Sequence, residues 1–447
     1  MHKISEVLKI ALPAVGEMIL YMMVWVVDTA FVGNYGGNIA VSSVSFSSEI
    51  IYTIANIFIA VGISVGVTTM VAQMTGAGEK DNAERYLSQG LIIGGIVAAV
   101  IAFILGVFSK QILLLAGAKG EVLYYGSRFM RIVSIGAFFN MLCSILNSGL
   151  RGTGNTVTPL IVSVIINIIT ISLDWMLIYG RLGFKEMGIM GSAVATTTAY
   201  ITGFIFLMIY YRYYSDFRIK LKYLKEINKD YMSKIVKLAI PSGMQEAAFN
   251  ISRLVSLSFI MHIGTLAFAA NTITTTIESI SFMPGWGFAV ASTALVGQRI
   301  GAKDYKNARE YAYIAMFFGT GIMLLCSILF LTIPDLLIKI FIKEKDTIAL
   351  GSSCLMVASI EQPFMGISMI LAGAMKGAGD TKTPFKVSLI SSWLIRIPLM
   401  YFVIFILKLN VVYVWVVTAI QWIFDGSVIL YFFKYKSKKW DEIEGNV

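Results

Sequence analysis

Charge is scarce in this sequence of 447 residues: Asp, Glu, Lys and Arg make up only 14 % of it, while 57 % of the residues are hydrophobic. A soluble globular chain carries about a quarter charged residues. The shortage leaves no room for a large soluble catalytic domain, and no enzymatic activity is expected. Cysteine is scarce too. Cys143, Cys326 and Cys354 are odd in number, lie within apolar runs and lack metal-ligand spacing, so they read as small core residues. Two glycine-rich segments, 151–155 and 376–380, lack the glycine-lysine-serine/threonine ending of a nucleotide-binding loop, so no ATP-driven pump is expected. The residues before the first apolar run are too few for a cleaved leader, and Glu17 and Asp28 argue against cleavage of that run.

What is abundant is long hydrophobic runs. Twelve can be marked, at 8–32, 40–72, 86–108, 123–147, 158–179, 189–210, 236–262, 267–296, 309–333, 348–374, 385–407 and 411–433. As helices rising about 1.5 Å per residue, each can cross a hydrocarbon core of about 30 Å, whereas barrel strands would be alternating segments of about ten residues. The formal charge of +10 is distributed by topology: 24 basic residues fall in the alternate loops that include both termini or, for Lys9, Lys237, Arg309 and Lys386, in the first two residues of the runs beside them, and 8 in the other loops. The positive-inside bias then places both termini in the cytoplasm of a multi-pass protein of the plasma (inner) membrane. The basic segment 211–235 reads as a cytoplasmic linker meeting anionic lipid headgroups rather than nucleic acid.

The chain repeats itself. LKIALPAVGE (8–17) matches VKLAIPSGMQ (236–245), aligning Pro13 with Pro241. VAQMTGAGEKDNAER (71–85) matches VGQRIGAKDYKNARE (296–310), and LRGTGNTVTP (150–159) matches MKGAGDTKTP (375–384), both at an offset of 225. Six runs per copy, an even number, give the copies one orientation across the membrane. The expected fold is all-α integral membrane: twelve transmembrane helices in two six-helix lobes related by a pseudo-two-fold axis along the membrane normal, as in several secondary transporters. The lobes are expected at 1–210 and 236–447. The glycine-rich segments read as turns, with Pro159 and Pro384 starting the next helices, and the segments from Gly78 and Lys303 as capped starts of the third and ninth spans.

Ionisable residues inside such runs cost at least about 2.5–3.5 kcal/mol each, so each calls for a partner, a wet cavity or a function. Glu17 and Asp28 are 11 residues apart, about 20° from coincidence on a helical wheel, with Tyr21 on the same stripe. Asn167, Thr170 and Asp174 share a face of the fifth span. Carboxylates on two helices of one lobe, with hydroxyl and amide neighbours, can hold a proton or an oxygen-liganded cation such as Na⁺, bound by Asp28 and Asp174. A satisfied hydrogen-bond cluster is the alternative. The second copy holds Glu246, Asn250 and Arg253 on one stripe of its first span, with Glu278, Glu361, Arg396 and Asp425 in later ones. Charge pairing and substrate binding both remain open for these. Glu49 and Glu278 occupy comparable places in the copies and are candidates to line a cavity. Aromatic residues and Met clustered near Trp25 suit an amphipathic organic cation, and equally suit lipid.

Pro13 with VDTAFVG (27–33), Leu173-Asp174 with the LIYG ending, the twin RGTGNT and KGAGDT turns and the six-plus-six duplication together resemble the multidrug and toxic compound extrusion (MATE) family, most closely its DinF-like prokaryotic branch. The resemblance spans nearly the whole chain. It implies an antiporter in which inward movement of H⁺ or Na⁺ drives export of amphipathic, often cationic compounds, with no cofactor beyond the coupling ion, and a monomer is expected. It carries ion coupling onto Asp28 and Asp174, a supporting hydroxyl onto Thr196 and a hinge onto Pro13. Thr170 stands where such members often have asparagine. The acidic positions of NorM-like members in the seventh and tenth spans are here Phe249 and Met365, so a second-lobe ion site of that type is not expected, although Glu278 and Glu361 could provide another. The rival readings are a lipid-linked sugar flippase of the same superfamily, which would need several basic residues in its cavity, and a channel.

Overall fold

In a computed structural model, residues 2–444 are described, and among them every regular element is helical. α1 (His2–Ala55) holds the first apolar run and the start of the second, broken at Gly37. There φ is 58° and the space beside the backbone is open, so it is the left-handed conformation, not crowding, that asks for glycine. A wide-turned stretch, Asn56–Ile63, joins α1 to α2 (Ser64–Gly76). Then follow α3 (Lys80–Val107), the short α4 (Ser109–Leu115), α5 (Gly120–Gly152), α6 (Val157–Leu177) and α7 (Ile189–Ile209). Beyond the one-turn α8 (Leu221–Lys225) come α9 (Lys229–Ile263), α10 (Thr265–Gly301), α11 (Tyr305–Thr332), α12 (Pro334–Lys339) and α13 (Lys345–Gly377). The chain ends with α14 (Lys382–Leu389), α15 (Ile397–Tyr401) and α16 (Val411–Glu444). Among the described residues ten helical stretches are long and apolar enough to cross a membrane. One of them, His2–Gly76, contains two of the expected runs, and the more polar α9 contains another, which accounts for all twelve.

The duplication is visible in side-chain chemistry. Thr68 Oγ1 donates to the Ser148 carbonyl at 3.1 Å, and Thr293 Oγ1, 225 residues on, to the Gly373 carbonyl at 2.9 Å. Asn155 Oδ1 accepts the Thr158 amide at 3.0 Å, and Asp380 Oδ1 accepts the Thr383 amide at the same distance. Gly154 and Gly379 turn the chain with φ of 87° and 88°. Pro159 and Pro384 then fall within the first turn of α6 and α14. The other twin segment is less uniform. Gly78 and Lys303 both have positive φ, but only the second copy is capped through a side chain, Asp304 accepting from Asn307 N. Glu79 makes no such cap for α3.

The chain forms two compact units, and they do not end where the repeats end. The first lobe is Gly16–Gly243; the second joins the residues up to Val15 with those from Met244 onward. The boundaries expected at 210 and 236 shift for a packing reason. In the first lobe, Ile235 and Ala239 of α9 belong to the core, and a Cβ on Gly66 would lie 2.7 Å from the Ile235 carbonyl. In the second lobe, Val7, Ala11 and Val15 of α1 pack among Phe288, Ala291, Leu295 and Ile370. Each repeat's first helix thus begins in one unit and ends in the other, changing over two residues after Pro13 and Pro241.

The basic segment expected to be a free linker is part of the first lobe. Gln89 Nε2 donates to the Tyr223 and Glu226 carbonyls at 2.8 and 2.7 Å, and its Oε1 accepts from Asn228 N at 3.1 Å. Lys220 bridges Asp81 and Glu84, both at 2.7 Å. Hydrogen bonding to Asp81, with Glu84 beside it, holds the Lys220 ammonium above its ordinary value.

Candidate functional site

In the first lobe α1, α6 and α7 bring the expected carboxylates together. Asp28 is half-buried on α1, and Ser192 at the start of α7 donates its hydroxyl to Asp28 Oδ1 at 2.7 Å. Asp174 on α6 is completely buried, with the Asp28 carboxyl group within hydrogen-bonding reach of its own. Asp28 is its charged neighbour, and Tyr200 of α7 is close to Asp28. A pair of ionised carboxylates in so dry a place repels strongly; a proton or a cation between them removes the repulsion. The available donor atoms are all oxygens, two carboxyl groups and the hydroxyls of Ser192 and Thr170, a set suited to H⁺ or to a hard cation.

The neighbouring polar residues hold the helices. Asn167 Nδ2 donates to the Leu20 carbonyl of α1 at 2.8 Å. Thr170 spends its proton on the Ile166 carbonyl at 2.9 Å and keeps lone pairs for a cation. Thr196 does not supply the hydroxyl that reaches Asp28: that group is Ser192, one helical turn earlier. The signal for it in the sequence was the small Gly191-Ser192 pair opening the sixth span. Gly191 allows that close approach, since a Cβ there would sit 2.7 Å from the Leu177 carbonyl carbon of α6.

Of the cavity candidates, Tyr21 pairs with Tyr52, ring centroids 5.9 Å apart, with Glu49 close by. Trp25 is half exposed on α1. Glu17, by contrast, is taken up by an ion pair: Arg151 Nη2 donates to its Oε1 at 2.5 Å, with both side chains nearly enclosed.

In the second lobe the expected stripe divides. Asn250 Nδ2 donates to Glu246 Oε1 at 3.0 Å. Arg253 instead belongs with Glu278, Glu361, Gln362 and Arg396, which gather from α9, α10, α13 and the wide-turned stretch Ile390–Arg396 between α14 and α15. Two carboxyl groups and two guanidinium groups there balance in formal charge. Apart from this cluster, a cavity of about 90 Å³ is lined by Glu246, Phe249, Phe282, Trp286, Trp422 and Asp425. Asp425 Oδ1 and Gln245 Oε1 accept no hydrogen bond among the described residues.

The MatE family pattern matches twice, over residues 13–176 and 241–402, starting at Pro13 and at Pro241. The chain belongs to the MatE family. A probable multidrug resistance protein NorM of Thermotoga maritima is 28 % identical over 443 residues, covering 98 % of this chain and 93 % of that protein. A transporter of Bacillus subtilis, YisQ, is 26 % identical over 95 % of this chain and 92 % of its own length. A solved MATE transporter of the MOP superfamily in an outward-facing conformation has a TM-score of 0.90 at 18 % identity, covering 98 % of this chain and 97 % of that one. The MatE protein described here is thus a multi-pass membrane transporter of the multidrug extrusion class, with that fold along its whole length.

Proposed function

We propose that this MatE protein is a cation-coupled antiporter that exports amphipathic, often cationic organic compounds by alternating access, with Asp28 and Asp174 as its ion-coupling pair. The observation that carries the reading is the fully buried carboxyl group of Asp174 set directly against that of Asp28. Entry of H⁺ or Na⁺ relieves the repulsion between the two carboxyl groups. The resulting change in packing of α1 beyond Pro13 lowers the affinity for cargo. Tyr21, Tyr52 and Glu49 offer aromatic faces and a negative charge to a cation on the first-lobe side. The kinship with multidrug resistance proteins supports this cargo class. The basic loops support a plasma (inner) membrane protein with both termini cytoplasmic.

The test is dye counterflow in proteoliposomes with pH and Na⁺ gradients imposed separately. The wild-type protein concentrates dye against its gradient under one or both. Asp28→Asn and Asp174→Asn each lose uphill transport, and normal coupled export in both variants rejects the assignment. A flippase would not concentrate the dye, and a channel would only equilibrate it.

A further inference from the structure

We propose that the first repeat carries a positioning latch, Glu17–Arg151, that anchors its first helix just after that helix changes compact unit. The proposal rests on the coupling role of Asp28 and Asp174 and adds residues that act through them.

Three observations converge on it. First, Glu17 lies one turn after Pro13, and α1 enters the first lobe at Gly16. The first ionic group inside the lobe is therefore tied at once, by Arg151 Nη2 to Oε1 at 2.5 Å, with side-chain exposures of 15 % and 7 %. Second, Arg151 is rigidly placed in the last turn of α5. The adjacent Gly152 packs so closely that a Cβ would lie 2.8 Å from Val71 and 3.0 Å from the Thr68 carbonyl. Third, the second repeat keeps the same charge arrangement although the residues have changed. Lys376 stands 225 residues after Arg151, ends α13 in the same way, and is attracted by Glu246, five residues after Pro241. Glu17 aligns with Gln245, so the carboxyl group stands one position further along the helix. Asn250 adds a hydrogen bond at 3.0 Å to Glu246, and Asn167 ties α1 again at Leu20.

The consequence for transport follows from the stripe Glu17–Tyr21–Asp28, three turns on one face of α1. With its base held by Arg151, motion starting at Asp28 passes along a helix whose lower end cannot rotate. Without the latch, α1 can adjust locally, and ion binding at Asp28 and Asp174 no longer moves cargo-binding surfaces. Glu17 is then a positioning residue and not a contact for cargo.

The experiment measures protons moved per dye exported, and proton leak without dye, in proteoliposomes. Asp28→Asn runs in parallel. Glu17→Gln and Arg151→Met are expected to lower uphill export at least tenfold, to raise the leak, and to keep dye affinity within twofold. The exchanged pair Glu17→Arg with Arg151→Glu recovers at least a third of coupled export. If Glu17→Gln does not yield a monodisperse protein, Glu17→Asp, which keeps the charge on a shorter stem, gives an intermediate coupling ratio. Wild-type coupling in either single variant, or in Glu17→Asp where that replaces it, overturns the first-lobe latch, as does an exchanged pair no better than the singles. If Asp28→Asn itself remains coupled, the assignment of the ion site has failed. If Asp28→Asn uncouples and the Glu17 variants do not, the latch alone has failed.

Discussion

The hydroxyl of Ser192 is the one neutral group that donates to Asp28 among the described hydrogen bonds. A hydrogen bond to a charged acceptor contributes about 1.5–3 kcal/mol, so Ser192→Ala removes that stabilisation from the ionised Asp28 and one hydroxyl from the oxygens open to a cation. Its coupled export is expected to fall about tenfold near neutral pH, while Thr196→Ala stays within twofold, as measured by initial rates of dye efflux. Sequence reading reached Asp28 and Asp174 because two carboxyl groups in apolar runs are costly and rare. It missed Ser192 because a turn of helix separates it from Thr196, and both are small hydroxyl residues that period alone does not rank. It placed Glu17 on one stripe with Tyr21 and Asp28 and Arg151 in a glycine-rich turn, and nothing in one dimension shows that the last turn of α5 brings Arg151 to Glu17.

At the scale of elements, the twin turns contain a built-in comparison. Asn155 and Asp380 bond the same amide of their respective turns, but only Asp380 titrates, and it also receives Lys436 at 2.6 Å and the Thr383 hydroxyl at 2.8 Å. Burial pushes the Asp380 carboxyl up, but the bonds from Lys436 and Thr383 outweigh it and hold the group below its ordinary value. Because the folded value lies below the unfolded one of about 3.9, the stabilisation is complete above the unfolded value. It is lost as pH falls through the folded value. Asp380→Asn is therefore expected to cost about 1 kcal/mol at neutral pH, with the difference in melting temperature closing below about pH 4. Asn155→Ala shows no such closing. The helices themselves were legible from length and hydropathy, and the duplication from three matched segments. The tie between 215–228 and α3 was not, because it rests on one buried glutamine, Gln89, bonding backbone groups that carry no side-chain signature.

For the whole molecule, the compact units cut across the repeats. The first lobe needs the start of α9 to complete its core, and the second needs the start of α1, where Lys3 bonds Asn307 and Glu310 and Glu6 bonds Arg299 and Tyr311. A chain severed between residues 228 and 229 leaves each fragment without a segment that its own fold needs. The two fragments expressed together are expected to co-purify and transport dye, and each expressed alone to be degraded or to aggregate, as judged by size-exclusion chromatography. Stable, monodisperse behaviour of either fragment by itself contradicts the exchange.

The changeover at Pro13 and Pro241 also bears on descent. A single six-helix repeat with the same leading segment would have no place of its own to bury it. Two identical copies could each supply what the other lacked, and an even number of crossings would insert both copies the same way round. The present chain then reads as the covalent form of a segment-swapped homodimer. Within one chain that exchange no longer depends on concentration, and the two copies can differ, one with its paired carboxyl groups and the other with its carboxyl–guanidinium cluster.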